Sequence, residues 1–386
     1  MIRKFWKPAL TSQFNICPVP FHLDTYRGCV YNCTYCFARD FVMFHRRKKG
    51  ELLFTHLEGN REDLLEKWIK RTLDKDYDYT KGEEVAFKER IPLKIGATAD
   101  PFPFSESKDR ITYNFLKLLH TYDYPLEIQT KNPEILAEYA SDFDNPNWAI
   151  AVTLISTDED FLKVCEPRAI SGERRLKAIT KLTKLGFKVM VKIQPAIHPK
   201  IVGDLNELVR KIKDAGCWAF NTEGLKLRIS MVKEEQLLFK EIGTFLRHDL
   251  RKYYKHYGEN TGSDWELSRQ QKLEYTELAT DLAQVYDLKY YTADNLLGKF
   301  GCGAECCGTE VLRDYKIWGG SIRSSFFDPV PHSSTELGKC LDNFIRKKAV
   351  SKNWQTLNEV MEEEKEKIKE ERSILEVGIH AKNKNI

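Results

Sequence analysis

Between residues 92 and 221, short apolar runs alternate with segments of helical periodicity, and this alternation restricts the chain to few folds. The apolar runs fall at 92–98, 126–130, 148–153, 188–194 and 218–221, with helical spacing at 109–120, 133–139, 171–185 and 204–215 between them. Strands that alternate with helices in this way form parallel βα units. Ser171 is placed to cap the helix at 171–185, Glu173 falls in its first turn, and Gly186 follows its last turn just before a strand. A further strand leading into residues 25–40 brings the number to six. A closed eight-stranded barrel needs more chain, so the expected α/β fold is a partial (βα)6 barrel over residues 1–224. Its site lies at the C-terminal ends of the strands. A mainly helical extension over residues 225–386 follows, ending in a charged helix at 359–376.

A length of 386 residues accommodates one large catalytic domain with such an appendage. No run approaches the ~18 apolar residues of a membrane span, and the basic start MIRKFWKPALTSQF has neither the apolar stretch nor the cleavage site of a secretory signal. The expected location is therefore cytoplasmic, with no membrane partner. In that compartment thiols stay reduced, so ten cysteines argue for metal or redox use. Cys17, Cys165, Cys217 and Cys340 read as small buried hydrophobes. The formal net charge of +4 neither demands nor excludes a nucleic-acid partner.

The chemistry concentrates in residues 25–40, TYRGCVYNCTYCFARD, where Cys29, Cys33 and Cys36 stand close together on one loop. Three thiolates make an incomplete set, because a tetrahedral zinc or a fully protein-ligated iron-sulfur cluster takes four protein ligands. One reading is zinc with Cys17 or His22 as the fourth ligand. The other is a [4Fe-4S] cluster with one iron left free for a substrate or cofactor. The pattern CxxxCxxC, with the aromatic Tyr35 directly before the last cysteine, resembles the signature of the radical S-adenosylmethionine (SAM) superfamily. That resemblance implies that SAM chelates the fourth iron and that its reductive cleavage gives a 5′-deoxyadenosyl radical, with flavodoxin or ferredoxin as electron donor. It also implies that Cys29, Cys33 and Cys36 hold the cluster and that Tyr35 and Phe37 flank the adenine.

Thr98, Asp100, Thr130, Lys131, Thr153 and Gln194 close or follow the apolar runs and supply donors and acceptors suited to a zwitterionic nucleoside. The stretches IGATADPFPFSE, LEIQTKNP, VTLISTDEDFLKVCEPRAISGERRLKAI and QPAIHP resemble the spore photoproduct lyase-like branch of that superfamily, over roughly residues 20–222. The branch typically reads T-D-P-Y-x-P-x-E after its second strand. Here Ala99, Asp100, Pro101, Phe102 and Pro103 precede Glu106, so a phenylalanine replaces the tyrosine. The resemblance implies that Lys131 approaches the SAM carboxylate. Glu166, Pro167 and Arg168 match a further E-P-R element that could equally be a salt-bridged turn.

After the cysteine loop a helix ends in the basic run Arg46 to Lys49, residues 61–73 read as a second helix and 74–90 as a charged surface connection; beyond residue 225, two helices at 231–257 and 265–286, joined by the loop HYGENTGSD, and a short strand near 289–292 lead to DNLLGKFGCGAECCGTE. Cys302, Cys306 and Cys307 lie there among glycines. They read as a second cluster, as a thiol donor or substrate contact at the barrel mouth, or as a tight loop with incidental thiols. The expected function is bond cleavage on a small nucleobase-like substrate such as queuine, with aromatic Tyr290, Tyr291, Phe300 and Trp318 around the cysteines for stacking. Tight binding of long duplex DNA is not expected, since 61 basic residues face 57 acidic ones. The competing readings are a DNA photoproduct repair lyase, and an iron-sulfur redox or nucleic-acid-binding protein without SAM chemistry.

Overall fold

The alternation is realised as one eight-stranded sheet in a computed structural model. The structure describes residues 3–11, 17–39, 57–76, 78, 81–229, 233–261, 264–294, 297, 301–302, 305–319, 321, 336–340 and 366. The strands are β1 (Ala9–Leu10), β2 (Phe21–His22), β3 (Leu93–Ile95), β4 (Leu126–Thr130), β5 (Trp148–Thr153), β6 (Val189–Ala196), β7 (Ala219–Gly224) and β8 (Lys289–Thr292). They lie side by side in chain order, with β2 to β8 parallel and β1 antiparallel at the edge. Strands β2 to β7 are the six expected from the sequence. β8, from beyond residue 224, pairs with β7 and extends the same sheet.

Each strand has two faces, because successive side chains point to opposite sides. The outer face carries Leu93, Ile95, Leu126, Ile128, Ile150, Val152, Val191 and Ile193, all buried in the main core. Amphipathic helices cover it. The helix Ile111–Thr121 buries Ile111, Phe115, Leu116 and Leu119, and Lys200–Asp214 buries Ile201, Leu205, Leu208, Val209 and Ile212. Gly172–Lys184 starts at Ser171, whose Oγ accepts from the backbone N–H of Arg174 at 3.3 Å, and Gly186 follows it at φ +90°. The inner face is polar, with Lys94, Glu127, Gln129, Thr153, Lys192, Gln194, Asn221 and Glu223 alternating with the core residues.

The segment after β8 closes the N-terminal end of this sheet. The Arg313 backbone N–H donates to Asn147 Oδ1 at 2.8 Å, Arg313 Nη2 donates to Asp123 Oδ1 at 2.9 Å, and Arg90 Nε donates to the Asp314 carbonyl at 2.7 Å. Arg90, Asp123 and Asn147 precede β3, β4 and β5, so residues 305–318 run beneath the strand starts as a floor. Trp318 ties the far end to Pro18 before β2 through an N–H···O bond of 2.7 Å. A Cβ on Gly308 would meet Met190 Sδ at 2.8 Å and the Trp218 ring at 2.9 Å, and its φ is +66°, so only glycine fits this contact.

Three expectations need correction. Residues 74–90, expected as a surface connection, contain the helix Gly82–Lys88, because Val85, Ala86 and Phe87 pack into the core. The loop expected around 256–264 forms part of a small sheet, in which Glu259–Asn260 pairs with Asp264–Glu266 and the latter with Leu227–Arg228. The helix expected at 231–257 is two, Lys233–Phe245 and Leu250–Tyr257, separated by an Asp249 cap. The third extension helix, Arg269–Val285, begins at a capping box between Ser268 and Gln271. The basic run Arg46 to Lys49, Met231, Phe300 and nearly all of the helix expected at 359–376 lie outside the described residues.

Candidate functional site

The loop bearing Cys29, Cys33 and Cys36 follows β2 and meets the C-terminal ends of β3, β4 and β5. Gly28 turns the chain into it at φ +82°. Cys33 is buried, and Cys29 and Cys36 are partly so. Burial, then the neighbouring Asp100 carboxylate, push the Cys29 thiol up to about 12, while backbone N–H groups of Asp100 and Tyr31 bond its sulfur and favour the thiolate. Burial raises Cys33 well above the usual thiol range, Lys131 opposes this, and Cys36 and Cys29 repel its thiolate.

Three thiols that repel one another while backbone donors and a cation face them fit a ligand bringing compensating positive charge. Neither candidate for a fourth zinc ligand is at hand. Cys17 sits near the floor and accepts a bond from Lys94 at 3.3 Å, and His22 lies 3.7 Å from Asp24. Among the described residues no three His, Cys, Asp or Glu side chains converge to hold a single metal ion. The donor set therefore suits an open-cornered cluster better than zinc.

The loop is held by a buried ionic clamp in which Glu166 pairs with Arg175, an arginine outside the E-P-R element. Thr34 donates to the Cys165 carbonyl from its N–H at 2.8 Å and from its Oγ1 at 3.1 Å, and the Tyr35 hydroxyl donates to Glu166. Glu166 pairs with Arg175 at 2.5 Å, and both are almost fully buried. Arg175 also donates to the carbonyl of Thr153 at 3.0 Å and twice to that of Ile170. Arg168 is exposed and takes no part. Arg175 was detectable in principle, since it shares the three- and four-residue spacing of Ala178, Ile179 and Leu182 and so falls on the apolar face of its helix. Arg39 adds bonds to Asn32 Oδ1 at 3.0 Å and to the Cys33 carbonyl at 2.6 Å.

The expected cofactor contacts divide into those that gather at the mouth and those already committed elsewhere. Asp100 accepts from the Thr130 hydroxyl at 2.8 Å, the Lys131 backbone N–H at 2.7 Å and that of Phe102 at 3.0 Å. Burial raises its carboxyl, against those three bonds and Lys131. The Lys131 ammonium lies 5.6 Å from the centre of the Tyr35 ring, near Cys33, Glu166 and Asp100, with no hydrogen bond of its own among the described residues. The Gln194 amide nitrogen is buried without a partner among the described residues. The Thr153 side chain faces inward at the end of β5. Thr98 instead gives both its N–H and its hydroxyl to Asp24, bracing the strand end. Phe37 is 70% exposed, and its ring is not gathered with the others. The Glu106 carboxylate caps a helix, accepting from the backbone of Ile111 and Tyr113 and from the Tyr26 hydroxyl.

Cys302, Cys306 and Cys307 are not at the mouth, and they do not form one group. Cys302 is exposed beside β8, with its N–H bonded to the Tyr290 carbonyl. Cys306 and Cys307 stand on the floor, where Asn221 Nδ2 donates to the Cys306 carbonyl at 2.5 Å and the Cys307 thiol senses Cys306, Lys94 and Glu127. Glu305 folds back to accept from the N–H groups of Cys307 and Thr309, and burial, then Cys306, raise its carboxyl to about 7. Tyr290 points into the outer core and bonds Thr222, and Trp318 is buried. The expected aromatic cover over the mouth is therefore absent among the described residues.

A partial parallel barrel with a three-cysteine loop at its mouth is the frame of an enzyme that binds an iron-sulfur cluster and a nucleoside cofactor inside the sheet. Residues 23–212 match the model of the radical SAM superfamily, and the chain belongs to that superfamily. Its cofactors are a [4Fe-4S] cluster and S-adenosylmethionine. A mutant of spore photoproduct lyase superposes with a TM-score of 0.52 at 14% identity, covering 75% of this chain and 80% of that one. A second, with bound AdoMet and dinucleoside spore photoproduct, gives 0.51 at 14%, covering 71% and 76%. An uncharacterized protein of Mycobacterium tuberculosis is 25% identical over 235 residues, 58% of this chain and 64% of the relative, just under two thirds of its length. Among the described residues no helix is long and apolar enough to cross a membrane.

Proposed function

We propose that the protein is a lyase that uses radical SAM chemistry to cleave a bond in a small nucleobase-like substrate, with queuine as the model for the class. The observation that carries this reading is a polar interior closed at the bottom by residues 305–318, with the cysteine loop at the opposite end. A duplex does not enter such a chamber, whereas one flat base or one extruded nucleotide does. In this reading Cys29, Cys33 and Cys36 hold the cluster in residues 1–224, and residues 225–386 supply the floor and the outer helices. Once bound, the reduced cluster and SAM supply a 5′-deoxyadenosyl radical, with a flavodoxin or ferredoxin as reductant.

The chain's own residues orient and shield. Asp100 fixes the backbone of Lys131, leaving the Lys131 ammonium free to meet a carboxylate at the mouth. Tyr35 presents its ring beneath that ammonium, its hydroxyl anchored by Glu166. Thr153 and Gln194 offer a hydroxyl and an unpartnered amide on the inner wall, and Thr98 acts through Asp24. Cys306 and Cys307 face the far end of the chamber as substrate contacts or hydrogen donors.

The test is anaerobic reconstitution followed by measurement of 5′-deoxyadenosine with queuine, its nucleoside and nucleoside monophosphate, or spore photoproduct DNA. Stimulation and consumption by a member of the first group support the reading. Turnover of the DNA lesion alone would replace it with repair, and a cluster whose spectrum ignores SAM would replace both.

A further inference from the structure

Parallel barrels usually fill their interior with branched apolar side chains. Here the inner wall carries two lysines at the level of the floor loop. Lys192 on β6 is 5% exposed and reaches Glu127 on β4 at 3.5 Å, past the small inward residues Ala149 and Ala151 of β5. The other oxygen of Glu127 accepts from Gln129 at 2.6 Å, so this carboxylate is engaged on both sides. Lys94 on β3 donates to Cys17 Sγ at 3.3 Å, and no carboxylate lies within 4.0 Å of it among the described residues. Lys94 and Lys192 each sense Glu127, Cys306 and Cys307, so they share one neighbourhood. The carboxylate of Glu305 is bonded to its own loop, and Glu223 is paired with Lys226 at 3.4 Å.

Two ammonium groups thus face one carboxylate, Lys192 almost wholly buried and Lys94 partly so, and a charge withdrawn from water without a counter-ion is costly. The same wall leaves a polar atom unused. Asn221 Oδ1, opposite Lys192 in the pairing of β6 with β7, is buried with no partner among the described residues, and Asn221 is a wholly buried residue. Such an atom is normally satisfied in a folded protein, so beside the two ammonium groups it marks a place for a ligand.

We infer that Lys94 and Lys192 form an oxyanion site at the base of the barrel that receives a carboxylate or phosphate of the substrate, with Asn221 Oδ1 beside it as the acceptor for an N–H or O–H of the same ligand. This rests on the reading of the barrel interior as the substrate chamber. It narrows the nucleobase-like class to members that carry an anionic group, which free queuine lacks. The site is separate from Lys131 at the mouth, so it recognises the far end of the substrate and leaves the SAM carboxylate to Lys131.

The experiment uses the cluster-containing, SAM-loaded protein under anaerobic conditions. Thermal midpoints are followed along a sodium phosphate series at constant ionic strength held by chloride. Calorimetry compares orotate with uracil, and guanosine 5′-monophosphate with guanosine, which separates a base carboxylate from a sugar phosphate. Phosphate should raise the midpoint beyond chloride, and one anionic member should bind about tenfold or more tighter than its neutral partner, as a charge-assisted bond gives. Lys94→Met and Lys192→Met should each cancel both effects with iron content unchanged, while Lys94→Arg, which keeps the charge, should retain them. Lys94→Met should also melt higher than wild type without ligand, because it replaces a partly buried charge with an apolar chain. Absence of any phosphate response in the wild type, or a response that survives Lys94→Met, would overturn the site. Turnover is not measured here, so a phosphate response without substrate-stimulated SAM cleavage removes only the lyase reading. Turnover without the response removes only the oxyanion site.

Discussion

Arg175→Met should loosen the cysteine loop although Arg175 touches none of the cysteines. The guanidinium is 1% exposed, pairs with Glu166 at 2.5 Å and donates to the carbonyls of Ile170 and Thr153. Its removal strands a carboxylate that is 3% exposed, with only the Tyr35 hydroxyl to meet it. Breaking a buried pair from one side costs about 3–5 kcal/mol. The lost bonds to the two carbonyls keep the expectation at the upper end of that range, since bonds from charged groups are each worth ~1.5–3 kcal/mol and are not additive. The midpoint of thermal unfolding should fall by ~10–20 °C at ~2–4 °C per kcal/mol. Iron content should fall too, because Tyr35 loses its fixed acceptor between Cys33 and Cys36. Anaerobic melts and iron assays measure this, and the double variant Glu166→Gln/Arg175→Met should recover more than half of the stability by removing both charges together. A loss below about 1 kcal/mol in the single variant, or a double variant no better than the single, would refute the reasoning.

Lys131→Met should weaken SAM binding ~10–150-fold, the equivalent of ~1.5–3 kcal/mol for a charge-assisted bond, while leaving the iron content intact; calorimetry on the reconstituted protein checks both. Cys302→Ala should match wild type in iron and in 5′-deoxyadenosine because that thiol is exposed beside β8, whereas Cys306→Ala/Cys307→Ala should keep its iron and lose product formation. Glu305 gives a pH signature. Its folded carboxyl is raised to about 7 from 4.5, so between those values the folded state binds more protons than the unfolded one, and stability falls as pH rises. Denaturation midpoints should therefore decline from about pH 5 to 7 and then level, and Glu305→Gln should flatten that part of the profile; parallel profiles for the two proteins would refute the assignment.

Much of the barrel was legible because it is written in local patterns. Apolar runs alternating with amphipathic segments specify parallel βα units wherever they occur, and the runs near 92, 126, 148, 188 and 218 all became neighbouring strands. The cysteine spacing was equally legible, since three thiols within eight residues must share one loop whatever the fold. The gathering of Asp100, Thr130 and Lys131 was readable as strand-end chemistry, because the ends of parallel strands meet.

Tertiary structure alone decided the rest. Which arginine pairs with Glu166 depends on how the helix Gly172–Lys184 packs beside the cysteine loop, and the spacing of the E-P-R element says nothing of Arg175. The polar inner face could not be read strand by strand, because a lysine in a short run looks like an interruption until its neighbours place Glu127 across from it. The Cys306–Cys307 loop could have gone to either end of the barrel. Its place on the floor was fixed by contacts far away in the chain, Arg313 with Asn147 and Gly308 with Met190 and Trp218. Local propensity cannot carry such contacts, because their energy exists only once the strands that supply both sides have assembled.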